Sequence, residues 1–296
     1  TIDGQHVFAY TGEGILACLD LSTGEKLWSK PVVREMSGRP AVYGMTSSPL
    51  VVDDLVIVTA GGQGKAVVAV DRKDGSIRWT AVDGMSAYSS PALLDLGGES
   101  HVVAFTARGV TGIRPSDGEE LWSYPFKTPY DCNNATPIAV DGKVFISAGE
   151  NHGCVMLQVT QQGNRYTVDE AWASVDVKSV MRNEWQTSVF VDGYLYGFDN
   201  VGSAGPVTHL TCVNATTGEV VWRKTRFGKG NLVAADGKLW ITTMAGEFVV
   251  VQATSEEYSE LGRQSVFGKT RQNVSLADGY AFVRDDFQVI CIKVKQ

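Results

Sequence analysis

The segment Leu19-Asp20-Leu21-Ser22-Thr23-Gly24-Glu25-Lys26-Leu27-Trp28 recurs along the chain. It returns as Val70 to Trp79, as Ile113 to Trp122 and as Val213 to Trp222, and a worn copy ends at Trp172. The five tryptophans are 51, 43, 50 and 50 residues apart. A fixed period of this size requires a repeat architecture, in which each unit is too small to bury its own apolar face and stacks on its neighbours.

Every copy follows one plan. A first strand reaches an Asp-Gly type turn and a second strand returns. A short apolar third strand ends near Asp, and after a Thr-Gly or Asp-Gly turn a fourth strand carries the Trp. Residues 136–147, Thr-Pro-Ile-Ala-Val-Asp-Gly-Lys-Val-Phe-Ile-Ser, show the first hairpin clearly. Glycine supplies the positive φ of such turns, which fits a chain with 32 of them. Short β-branched and aromatic runs at regular spacing predict all-β structure, and no long helical period is present. Four antiparallel strands per repeat predict a β-propeller. The repeats fall at 1–33, 41–82, 87–126, 132–177, 179–227, 228–268 and 269–296, within a single propeller domain. The last two lack the Trp, and the chain begins mid-repeat at Thr1. We therefore expect an upstream segment, and eight blades in the intact protein.

The net charge is −7 and no basic run occurs, which argues against a nucleic-acid surface. No run of about 18 apolar residues is present, the length that a spanning helix needs. The cysteines are Cys18, Cys132, Cys154, Cys212 and Cys291. Aligning the copies puts Cys18, Cys212 and Cys291 at one third-strand position, where free Cys serves as a small buried hydrophobe. Cys132 and Cys154 share a repeat, and their spacing leaves a disulfide open. No CxxC, HExxH, GxSxG or phosphate-binding glycine loop occurs. Gly61-Gly62-Gln63-Gly64 reads as a hairpin loop, and most of His6, His101, His152 and His209 are expected on strand starts or loops without metal.

The Asp-x-x-(Thr/Asp)-Gly-x-x-x-Trp pattern, clearest at Asp20 to Trp28, Asp71 to Trp79 and Asn214 to Trp222, resembles the tryptophan-docking repeat of quinoprotein β-propellers. The resemblance implies that Trp28, Trp79, Trp122, Trp172 and Trp222 pack between neighbouring blades. Three branches share the repeat: pyrroloquinoline-quinone-dependent dehydrogenases, BamB-type outer-membrane assembly lipoproteins, and PQQ-like bacterial proteins, some labelled polyvinyl-alcohol-dehydrogenase-like. Ser89-Ser90-Pro91, Met181-Arg182-Asn183 and Leu195 to Asp199 look most like the third branch. The dehydrogenase branch implies PQQ, a Ca²⁺ held by carboxylate and amide oxygens, a catalytic Asp and, in its alcohol-oxidising members, adjacent cysteines. No Cys-Cys pair occurs, although Asp131-Cys132-Asn133-Asn134 brings a carboxylate and two amides to one loop.

Position supplies a second signal. The residues that open the first strand of each propeller blade line one mouth of the funnel. Copy by copy these include Ser47 and Ser48, Ser89 and Ser90, Asn133 and Asn134, then Arg182, Asn183 and Trp185, then Lys229 and Asn231, and finally Arg271 and Gln272. Such a set either holds a small polar or anionic ligand or satisfies strand ends and hydrates a channel. Trp185 stands out as a stacking platform or a core residue.

The leading expectation is a non-catalytic binding scaffold of the bacterial envelope, periplasmic or exported. It would be monomeric, without a cofactor or metal, and would bind a protein or small polar ligand. The alternatives are a PQQ- and Ca²⁺-dependent oxidoreductase acting on an alcohol or sugar, and the extracytoplasmic sensor of a larger signalling protein.

Overall fold

The computed structural model describes residues 1–202 and 207–294. Residues 203–206 of the fifth repeat and the last two of the seventh therefore lie outside the described residues. The chain is an all-β propeller of antiparallel blades, six of four strands and one of three among the described residues. In every blade the strands are hydrogen-bonded in sequence order. The first blade comprises Ile2–Asp3, His6–Tyr10, Leu16–Asp20 and Lys26–Lys30, and the second Leu50–Val52, Leu55–Thr59, Val67–Asp71 and Ile77–Ala81. The seventh holds only Ser275–Ala277, Tyr280–Arg284 and Val289–Lys293. One short helix, Val32–Glu35, follows the first blade; nothing in the sequence pattern announced it.

Two turns build each blade. The first hairpins close on Asp141-Gly142, Asp192-Gly193, Asp236-Gly237 and Asp278-Gly279, with positive φ at both residues of each pair. That is the type I′ geometry, whose twist matches that of the flanking strands. The second turn is the repeat motif. Asp20 Oδ1 accepts the backbone N–H of Ser22 and Thr23 at 2.9 and 2.8 Å. Asn214 Oδ1 does the same for Thr216 and Thr217 at 2.9 and 3.1 Å. The side chain thus imitates a backbone turn. The register then shifts by a bulge, at Cys18/Leu19 and at Cys212/Val213.

The core lies between consecutive blades because strand side chains alternate faces. Val56 and Val58 join Phe8, Leu16 and Cys18 of the preceding blade. Ile57, between them, joins Val102, Ala104 and Ile113 of the following one. The pattern repeats in the fifth to seventh blades. Leu239 and Ile241 pack with Tyr196, Phe198 and Leu210, while Trp240 packs with Ala281 and Val283. Each central strand is consequently apolar on both faces and reads as a continuous hydrophobic run.

Two compact units are present. One comprises Thr1–Ile146 with Met156–Ala171, and the other Ser147–Val155 with the chain from Trp172 onward.

Cys154 is a free thiol, so it makes no disulfide with Cys132; Cys18, Cys212 and Cys291 are free as well. Cys18 and Cys212 are buried as expected, but Cys291 is exposed. Its strand, Val289–Lys293, pairs only with Tyr280–Arg284 among the described residues.

Candidate functional site

The loops that lead into the first strands carry the predicted ligand residues. In the first unit most of these residues join one blade to the next. Ser47 is buried and its hydroxyl lies 3.0 Å from that of Thr59. The exposed Ser48 donates its backbone N–H to Ser90 Oγ at 2.9 Å. Ser89 is buried and donates to the Ala135 carbonyl at 3.0 Å. Asn133 is wholly buried. Its Nδ2 donates to the carbonyls of Thr106 and Phe126 at 2.7 and 3.0 Å, and its Oδ1 accepts from Thr128 Oγ1 at 3.0 Å. An amide so fully engaged holds strand ends. Asn134 differs: it is half-buried, and its Oδ1 has no partner.

In the second unit the loop 179–188 is a buried polar knot. Arg182 binds Asp199 through two parallel bonds, Nε to Oδ1 at 2.6 Å and Nη2 to Oδ2 at 2.9 Å. Its Nη1 donates to the Val177 carbonyl at 3.1 Å. Arg223 adds a second cation 3.3 Å from the same carboxylate. Such a fork fixes geometry as well as charge. Sequence position placed Arg182 among the ligand residues; the fold commits its guanidinium to Asp199 instead. Asn183 is also consumed internally: Nδ2 donates to the Phe198 carbonyl at 3.0 Å and Oδ1 accepts from Ser188 Oγ at 2.8 Å. Asn231, likewise buried, donates to the Arg271 carbonyl at 2.8 Å.

A different arrangement surrounds Trp185, which is half-buried. The Lys229 ammonium lies 4.6 Å from its ring centroid and the Arg271 guanidinium carbon 4.5 Å, both within cation–π range. Lys229 also donates to Glu184 Oε2 at 2.7 Å. Glu184 Oε1 is buried without a partner. Burial pushes the Glu184 carboxyl pKa upward, against the pull of Lys229. Gln186 accepts the Glu184 N–H at 3.1 Å through Oε1, while its buried Nε2 has no acceptor. Arg271 and Gln272 are exposed. Arg271 also borders a cavity of about 310 Å³ with Lys269, Gln272, Arg284, Asp285 and Asp286. Lys269 and Arg284 were not among the loop residues read from the sequence. Arg284 could not have been, since it ends a second strand rather than opening a first one.

Four of the tryptophans share one contact. The indole N–H of Trp28 donates to the Arg72 carbonyl at 3.0 Å, Trp79 to Pro115 at 2.9 Å, Trp172 to Ala215 at 2.9 Å and Trp222 to Thr254 at 2.8 Å. Each acceptor lies in the turn before the fourth strand of the next blade. Trp122 departs from this pattern. Its N–H donates to Nδ1 of His101 in its own blade at 2.9 Å. His101 is wholly buried within the strand Glu99–Thr106, not on a strand start or loop. Burial lowers its pKa, and its Nε2 has no partner.

Of the loop 131–134, Asp131 is exposed and Asn134 Oδ1 has no partner among the described residues, but other polar groups that a quinone and Ca²⁺ would call on are already engaged. Asn133 has no free amide atom, and Asp199 is locked to two arginines. Trp185 already faces two cations. Among the described residues, no three His, Cys, Asp or Glu side chains gather as a metal site.

The family described as outer membrane protein assembly factor BamB matches residues 1–224. The outer membrane protein assembly factor BamB of Yersinia pestis is 21% identical over 84% of this chain and 62% of its own length. That of Moranella endobia (strain PCIT) is 20% identical over 86% of the chain and 63% of its own length. The chain thus spans about three fifths of these curated relatives. Among solved structures, BamB from Moraxella catarrhalis aligns over 97% of this chain and 81% of its own, with a TM-score of 0.72 and 16% identity. A europium-containing methanol dehydrogenase aligns over 95% and 72%, with a TM-score of 0.60 and 17% identity. At these identities the solved structures speak for the fold, which both branches share. The match over residues 1–224 decides membership: this chain belongs to the PQQ-like β-propeller family described as outer membrane protein assembly factor BamB.

Proposed function

We propose that this chain is a non-catalytic binding scaffold of the bacterial cell envelope, periplasmic or exported, that carries a protein partner of outer membrane protein assembly on its blade loops. The observation that carries this reading is the state of the polar groups in those loops. Asp199 is held by Arg182 and Arg223, and Asn133 and Asn183 are fully engaged with the chain. Groups so committed are poor general acids or bases, whereas a rigid loop surface is what a docking partner needs. The family match and the relatives named for outer membrane protein assembly support the same class of partner.

The test is affinity capture from detergent-solubilised envelopes with the full-length protein as bait. Enrichment of outer-membrane assembly components over a propeller of unrelated family is the expected outcome. Saturable micromolar binding of pyrroloquinoline quinone with Ca²⁺, followed by dye-coupled alcohol oxidation, would replace this reading with the oxidoreductase.

A further inference from the structure

The Trp185 platform and the adjoining cavity differ chemically from the other loops. In the same unit Arg182 and Arg223 are paired with Asp199, and Arg263 with Glu247 and Glu260. Lys269, Arg271 and Arg284 make no ion pair among the described residues, and all three are exposed around one cavity. Two carboxylates share that cavity, but one of them is already engaged. Asp285 accepts the backbone N–H of Gly268, Phe287 and Gln288 at 2.6, 2.8 and 2.9 Å. Those bonds hold its pKa down at about 2 and shape the loop, whereas Asp286 is open to solvent.

We propose that Lys269, Arg271 and Arg284, with Trp185 and Lys229 beside them, form a binding site for an acidic protein segment, its carboxylates set against the cations and its backbone or apolar side chains against the indole. This deepens the scaffold reading and rests on it. The cavity of about 310 Å³ lies at the small end of ligand pockets, about 300–1,000 Å³. It suits the side chains of a segment lying across it better than a bulky cofactor. An array of exposed cations gives each carboxylate only a modest gain, so it selects a ligand that presents several at once. The overall charge of −7 repels a free anion at long range, so attraction depends on these local pairs and weakens with salt.

The probe is an acetylated, amidated peptide of three Asp-Glu repeats, titrated calorimetrically into the full-length protein at low and physiological salt. A neutral Ser-Gly peptide and citrate are run in parallel. Saturable binding of the acidic peptide alone is expected, weakened about tenfold by the double variant Arg271→Gln, Arg284→Gln. The variant Lys73→Gln, in the other unit, should leave it unchanged. Trp185→Phe should abolish the accompanying change in fluorescence. Absence of peptide binding, equal binding by the double variant, or citrate binding as tightly as the peptide would overturn the proposal, the last by assigning the site to a small free acid. Envelope capture with the double variant separates the two readings. Partners retained without peptide binding would leave the scaffold standing and remove this site. Peptide binding without any captured partner would do the reverse.

Discussion

The seam made by Trp79 and the one made by Trp122 begin from the same motif and end differently. Trp79 lies over Gly118 of the next blade, where a Cβ would come within 2.7 Å of the ring and φ is +80°. Its N–H reaches the Pro115 carbonyl. Trp122 has no such turn to meet. The following blade instead extends its second hairpin into strands of 10 and 11 residues, Gly153–Gln162 and Arg165–Val175. From that hairpin, Tyr166 meets His101 edge-on at 5.0 Å and 85°, and its hydroxyl donates to Glu99. Gln161 donates to Glu99 as well, at 3.1 Å, and Tyr124 donates to Glu170 at 2.5 Å. A docking tryptophan is therefore half of a device. The other half is the neighbour's turn before its fourth strand, and where the neighbour extends that hairpin instead the blade joins through a polar and aromatic substitute.

The largest effect that would break this comparison is Trp79→Ala, expected to cost about 3–5 kcal/mol of stability through the cavity left between two blades. Denaturant unfolding of the full-length protein measures it, and a loss below 1 kcal/mol would remove the structural role. Next come paired glycines with the same backbone geometry. Gly118→Ala meets both the left-handed φ and the Trp79 ring, and should cost about 2–3 kcal/mol. Gly24→Ala, at φ +73° with nothing within 4 Å, should cost only about 1 kcal/mol for the backbone alone. Equal losses would mean that the ring contact contributes nothing.

The smallest effect belongs to the other seam and appears as a pH dependence. His101 is neutral in the fold because burial depresses its pKa, with Glu99 and Asp95 pulling weakly the other way. Arg114 and Tyr166 also surround Glu99. Since the folded pKa lies below the unfolded value of about 6.5, the unfolded chain binds the proton first. Stability is full above that value and falls as the pH drops from it towards the folded pKa. Unfolding at pH 7.5 and pH 5 should show that loss in the parent and a shallower one in His101→Gln. Identical slopes would exclude His101 as its source.

The repeat made the fold legible before any coordinate. The Asp-Gly pairs became type I′ hairpins, and the Asp or Asn of the motif became the acceptor that shapes the second turn. The apolar runs became strands buried on both faces. These are local or nearest-neighbour facts, and a repeat states them several times over. The loop positions were legible as places but not as roles. Nothing in Met181-Arg182-Asn183 announces that Arg182 meets Asp199, 17 residues on, or that Asn183 is sealed inside. Cys291 aligned with Cys18 and Cys212, yet it is exposed where they are buried.

Periodicity and turn chemistry were enough to specify the propeller, because strand pairing within a blade depends on residues close together in the chain. Which polar groups are consumed and which are left to meet a partner was decided only when distant loops met. Burial then forced Arg182, Asn133 and Asn183 into internal bonds, since an unpaired polar group in the interior costs about 1–3 kcal/mol. The same packing left Trp185 half-buried between two cations and brought Arg284 to the side of Arg271, a juxtaposition that no linear spacing encodes.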